Sequence, residues 1–179
     1  VTAGAETNLN RHIKNMLQFG MPVVVSVNRF ASDTDAELEA LTKCARNSGA
    51  SSVCLTEVHA KGGAGGKELA KAVVSACQDH IAAGRPFTPL FNNDTPIEEK
   101  ALRVATRIYG ADGINILAKA GRQLEQLKSW GYGELPVCMA KTQYSFSHDP
   151  NLLGAPSNFE IPIREFRPVS YTHLRAHET

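Results

Sequence analysis

The chain is 179 residues long with 42% hydrophobic and 21% charged content, enough apolar material for about one compact domain or one and a half. Its net charge of +1 comes from Lys and Arg scattered among Asp and Glu, which leaves no basic stripe of the kind nucleic acid requires. The apolar stretch behind Met21, Pro22 to Val27, is a fraction of the roughly 20 residues a bilayer-spanning helix needs, so no membrane partner is expected either.

The chain opens on Val1 rather than Met and without a charged-then-apolar leader, so its true start is expected upstream. From Asn8 to Phe19, Leu9, Ile13, Met16 and Leu17 recur at helical spacing until Gly20 and Pro22 stop the pattern. Pro22 to Asn28 is a short β-branched run without strict alternation, as in a parallel strand buried on both faces. Thr34 and Glu37 have capping-box spacing, and Leu38, Leu41 and Ala45 continue one helical face to Gly49. Ser52 to Val58 reads as the next strand, followed by the glycine-rich turn Lys61 to Gly66 and a helix from Lys67 to about Ala83. Alternation of helix and strand predicts α/β architecture, a partial doubly wound parallel sheet.

Gly84-Arg85-Pro86 is the best internal boundary, which divides the chain into an α/β core over 1–84 and a second, smaller and incomplete α/β part over 85–168. In that part Pro96 precedes a helix with Ile97, Ala101, Val104, Ala105 and Ile108 on one face, ending at Gly110. A second helix is expected from about Ala118 to Trp130, with Trp130 as a core residue at its end. Pro136 to Ala140 reads as a buried strand, Lys141 to Asn158 as a long ordered loop, and Phe159 to Ile163 as a last strand. The remainder, 169–179, reads VSYTHLRAHET, which is what one frame of a common transposase sequencing adapter translates to. Those residues are therefore expected to be an artefact, with native sequence ending near Arg167. The four cysteines, Cys44, Cys54, Cys77 and Cys138, have no CxxC or zinc spacing and read as reduced core residues of a cytoplasmic protein.

Ligands of open α/β sheets gather at the carboxyl ends of strands, and the unusual residues sit there. At the first end, Asn28-Arg29-Phe30 presents an amide, a cation and a ring. Phe30 is either a plug between strand and helix or the cover of a ligand, and Asp33 or Thr34 caps the helix that follows. At the second, His59 and Lys61 lead into Gly62, Gly63, Gly65 and Gly66. Glycines before a helix either let backbone N–H groups approach an anion or simply make a tight turn. Should the two strands be neighbours, Phe30 and His59 would face one crevice and sandwich a heterocycle. Asn28, Lys61 and the glycines are the nucleotide- or anion-binding candidates. A third group, Lys141, Gln143 and Tyr144, follows the expected strand Pro136 to Ala140, though polar crowding is also what any surface loop shows. No catalytic residue and no metal-ligand spacing stands out, and GxxxxGK[ST] occurs nowhere.

Taken in order, NRFASDTDAE at Asn28 to Glu37, AKGGAGG at Ala60 to Gly66, YGADG at Tyr109 to Gly113, GYGELPVCMAKTQYSFS at Gly131 to Ser147 and IPIREFR at Ile161 to Arg167 resemble the formate–tetrahydrofolate ligases. The resemblance covers essentially Asn8 to Arg167. It implies a sheet of the P-loop NTPase-like type, and formation of 10-formyltetrahydrofolate, ADP and phosphate from formate, ATP and tetrahydrofolate through formyl phosphate. It further implies Mg²⁺ carried with ATP, compatibility with a monovalent cation, and a cytoplasmic homotetramer when full length. By the same resemblance Phe30 is the aromatic platform for the pterin ring and His59 its opposite, where many members have Trp. The family's phosphate-binding loop would lie upstream, so the chain alone is expected to be inactive. Two other readings are a silent homologue kept for subunit association and a P-loop GTPase-like switch. Against the switch, the position two after Asn28 is Phe30 rather than a guanine-reading Asp.

Overall fold

The computed structural model describes residues 1–140, 145–169 and 173–177, the last five by their backbone alone. Helix formation starts earlier than Asn8, because α1 (Thr2–Gly4), wider π-type turns over Ala5–Leu9 and α2 (Asn10–Leu17) follow one another without a break. Ala5 and Ile13 are the buried apolar residues of this stretch. Strand β1 (Val24–Asn28) pairs in parallel with β2 (Ser52–Thr56), and α3 (Asp35–Asn47) makes the crossover between them, burying Leu38 and Ala45. A single turn, α4 (Val58–Lys61), a 3₁₀ stretch at Gly62–Gly66 and α5 (Lys67–Ala82) follow. These elements belong to a unit spanning Val1–Thr88, the second unit being Pro89–Thr179.

The first sheet departs from the expectation of strands buried on both faces. Only Val27 of β1 and Thr56 of β2 are buried, and the two strands form a sheet of their own. Helix α5 buries none of its residues and leaves Val74 at 55% and Ile81 at 76% exposure.

In the second unit α6 (Ile97–Arg103) runs into π-type turns over Val104–Tyr109 and stops at Gly110, whose left-handed backbone ends the helix. Strand β3 (Gly113–Ile116), α7 (Ala118–Ser129), β4 (Val137–Ala140), β5 (Glu160–Ile163), β6 (Glu165–Val169) and β7 (His173–His177) complete it. β3 pairs in parallel with β5, while β7 lies between β4, parallel, and β6, antiparallel. Ile97, Ala105, Ala120, Leu124, Leu127, Phe159, Ile161, Ile163 and Phe166 belong to one core; of the face expected after Pro96, Ile97, Ala101 and Ala105 are buried, while Val104 and Ile108 are only half-buried. The sequence predicts no strand at β3 or β6: β3 follows the Gly110 turn with only Ile114 and Ile116 as apolar residues, and β6 carries Glu165, Arg167 and Pro168.

A buried lysine organises this unit. Lys100 is 1% exposed, and its ammonium donates to the carbonyls of Asn93 at 2.8 Å and Glu134 at 2.5 Å. Desolvation pushes its pKa below the ordinary lysine value. Two other expectations are corrected. Trp130 caps α7 at 55% exposure rather than entering the core, because the helix ends there and Gly131 turns the chain away. The cysteines are free thiols but not core residues, Cys77 and Cys138 being exposed and Cys44 and Cys54 half-buried. Cys77 is exposed because α5 buries none of its residues, and Cys138 because alternate residues of a strand point to opposite faces.

Candidate functional site

The register of the first sheet pairs Asn28 with Thr56, so both strands end side by side. Three hydroxyl and amide contacts tie those ends together. Thr56 Oγ1 lies 3.0 Å from Ser26 Oγ and donates to Asn28 Oδ1 at 2.8 Å, and the Arg29 amide donates to the Thr56 carbonyl at 2.9 Å. With its oxygen occupied by Thr56, the Asn28 side chain presents its NH₂ group outward as a donor.

Phe30 begins a tight turn closed by Asp33. The Phe30 amide donates to Asp33 Oδ2 at 2.8 Å, and the Asp33 amide donates back to the Phe30 carbonyl at 3.1 Å. Thr34, not Asp33, caps α3: its hydroxyl accepts from the Glu37 amide, and the Glu37 carboxylate accepts from the Thr34 amide, a reciprocal capping box. These bonds hold the Glu37 carboxyl below its ordinary pKa, the Thr34 amide being the larger cause. Arg29 reaches Asp35 at 3.1 Å. Phe30 itself is 63% exposed. Within these residues the ring is therefore not plugged between β1 and α3.

Strand β2 ends at Thr56, earlier than the expected Val58, and His59 sits in the single turn α4 rather than on a strand end. The turn still brings it to the same place. Asn28, Arg29, Phe30, Thr56, Glu57, Val58 and His59 line one cleft of about 260 Å³. Phe30 and His59 therefore share the crevice that the sequence pointed to.

Glu57 was not foreseen. Its carboxylate pairs with Lys61 one turn on, and that bond holds the Glu57 carboxyl below its usual pKa. The i, i+4 spacing of Glu57 and Lys61 was the legible signal. Lys61 is thereby committed to a carboxylate, which weakens its reading as an anion ligand. The glycines separate into different tasks. Gly62 takes a positive φ of 57°, and a Cβ on Gly65 would sit 2.5 Å from the backbone carbonyl of Glu57. The Glu57 amide donates to the Gly65 carbonyl at 3.2 Å, so this close approach is what builds the turn. Gly63, with nothing near it, has no such steric reason. Lys141, Gln143 and Tyr144 lie outside the described residues. Next to them Ser147 is wholly buried, its hydroxyl donating to the Asp149 carbonyl at 2.8 Å. Among the described residues no three His, Cys, Asp or Glu gather where they could hold a metal ion.

The family model for formate–tetrahydrofolate ligase matches residues 1–172. This chain belongs to the formate–tetrahydrofolate ligase family. It is 46% identical over 162 residues to the formate–tetrahydrofolate ligase of Symbiobacterium thermophilum, covering 90% of this chain and 28% of that protein. It is 47% identical to that of Paracoccus denitrificans, covering 89% and 28% of the two chains, and 46% identical to that of a Roseiflexus species, covering 93% and 29%. The chain thus spans little more than a quarter of the length of the curated formate–tetrahydrofolate ligases it matches. Phe30, Glu57 and His59 all fall inside the matched region. No helix among the described residues is long and apolar enough to cross a membrane.

Proposed function

We propose that this chain is the folate-side portion of an enzyme that joins formate to tetrahydrofolate at the expense of ATP. The reaction gives 10-formyltetrahydrofolate, ADP and phosphate, with formyl phosphate between. The single observation that carries the reading is the meeting of Phe30 and His59 in one cleft at the ends of two parallel strands, in a chain of this family. An exposed ring over such a cleft is wasted unless a flat molecule covers it, and each stacked pair adds about 0.5–1.5 kcal/mol beyond burial. On this reading Phe30 is one wall of the pterin site and His59 the other. Imidazole stacks over less area than indole, so the His59 wall is the weaker of the two.

The strands β1 and β2, joined through α3, belong on this proposal to a doubly wound parallel sheet of the P-loop NTPase-like type. ATP would enter as its Mg²⁺ complex and find its phosphate-binding loop in a part of the enzyme outside these 179 residues, since GxxxxGK[ST] is absent from them. Gly63, the glycine without a packing reason, is the best remaining anion contact of its turn. Full-length assembly as a cytoplasmic homotetramer, and a response to monovalent cations, belong to the same proposal. In the full-length enzyme Phe30→Ala is expected to raise KM for tetrahydrofolate about 10- to 100-fold while leaving KM for formate and ATP nearly unchanged. Equal effects on all three substrates would sink the assignment.

A further inference from the structure

The cleft has polar walls as well as aromatic ones, and the polarity of those walls carries information. On the β1 side the Asn28 amide is turned by Thr56, whose hydroxyl donates to Asn28 Oδ1 at 2.8 Å, so the group left facing the cleft is a donor. On the β2 side stands Glu57, acceptor-only when ionised. One of its oxygens is taken by Lys61, and Oε1 accepts no hydrogen bond among the described residues. Two features fix the Glu57 carboxylate in place: the Lys61 pair, and the backbone packing of Gly65 against the Glu57 carbonyl. The charged groups around it are Lys61 and, across the cleft, Arg29, which is paired with Asp35. At about 260 Å³ the cleft lies below the roughly 300–1,000 Å³ of sites that hold whole drug-sized ligands, so it accommodates one ring system.

We infer that Asn28 and Glu57 select the pterin by its hydrogen-bonding edge: Glu57 accepts from the N3–H and 2-amino donors, and Asn28 donates to the 4-oxo oxygen. A 2-amino-4-oxo pyrimidine ring presents those groups in a row along one edge, two donors and then an acceptor, which calls for an acceptor and a donor in the same cleft, as Glu57 and Asn28 are. Adenine does not. Its corresponding edge offers one amino donor beside the lone pair of N1, which a carboxylate repels. Asn28 is thereby moved from the nucleotide candidates to the pterin site. The inference rests on the folate reading of the cleft, and adds to stacking, which every flat heterocycle can use, a term that tells one heterocycle from another.

The test is calorimetric titration of the full-length enzyme with tetrahydrofolate, its 2-desamino analogue and MgATP. Wild-type enzyme is expected to bind the desamino analogue about tenfold or more weakly than tetrahydrofolate, the usual loss when a charged acceptor is left unpaired. Glu57→Gln is expected to weaken tetrahydrofolate by a similar factor and to lose the discrimination against the analogue. The double change Glu57→Gln/Lys61→Met, which orphans no charge, serves where the single one does not fold. Asn28→Ala is expected to weaken tetrahydrofolate and leave MgATP alone. Equal wild-type affinity for tetrahydrofolate and its desamino analogue overturns the inference, whatever the variants do. If that equality coincides with a large effect of Phe30→Ala, the folate cleft stands and only edge selection falls. If Phe30→Ala also changes nothing, the folate reading itself is wrong.

Discussion

Gly65 is the residue on which the geometry of the cleft most directly depends. A methyl group there would meet the Glu57 carbonyl carbon and oxygen at 2.5 Å, closer than real contacts allow, and neither is a flexible side-chain end. Gly65→Ala is expected to destabilise the chain by about 1–3 kcal/mol and to displace Glu57, measured by urea unfolding and by the loss of tetrahydrofolate binding in the full-length enzyme. Gly63→Ala, with open space around it, is the matched control, and unfolding midpoints that fall equally for both changes would refute the packing argument. The Glu57 carboxylate adds a pH dependence whose sign follows from its depressed pKa. A depressed folded-state value contributes stability that is present above the unfolded value, near 4.5, and is lost as pH falls through the folded value. Acid titration of stability should therefore be shallower below about pH 4.5 in Lys61→Met than in the wild type, because that change removes the main cause of the depression. Identical slopes in the two proteins would show that the pair contributes nothing there.

Among the elements, α3 owes its start to Thr34 and Glu37. Replacing Thr34 with Ala removes the hydroxyl half of the capping box, leaves the backbone amide bond to Glu37, and is expected to cost about 1 kcal/mol in thermal or urea unfolding. A cost near zero would mean that β1, α3 and β2 hold the turn without it. In the second unit the joint between α6 and the approach to β4 is Lys100, whose ammonium serves the Asn93 and Glu134 carbonyls from a buried position. Lys100→Met keeps the length of the side chain, relieves the desolvation of a charge and orphans those carbonyls. Orphaned acceptors weigh more here, so a loss of about 1–3 kcal/mol is expected from urea unfolding. A stabilised variant would reverse that order.

At the scale of the molecule, the chain holds one proposed wall of an active site and lacks any GxxxxGK[ST] segment for phosphate. Formyl-tetrahydrofolate synthesis by these 179 residues alone is expected to be undetectable, and appreciable turnover in a coupled assay would overturn the proposed division of labour. Helix α5 fits the same picture, since Val74 and Ile81 stand exposed on a helix that buries none of its residues. We also propose that 169–179 derive from a sequencing adapter. An adapter-free reading of the same locus should replace those codons, and finding them intact in genomic DNA would restore β7 to the native protein.

The sequence by itself determined the family, the order of helices and strands around the first sheet, the capping box, and the two rings of the cleft, because each is written in local spacing or in a long ordered run of motifs. Phe30 and His59 could be named together on the single condition that their strands were neighbours. Only the tertiary structure supplied that condition, through the parallel register of Asn28 with Thr56. It also decided what local pattern cannot carry: that Glu57 enters the same cleft, that Lys61 is already paired, and that Gly65 is small because another backbone passes beside it. Burial was the least legible quantity. Nothing in local spacing marks Lys100 as buried, and the β-branched run of β1 is half-open where its composition predicted an interior, because burial depends on what packs against a segment and not on the segment alone.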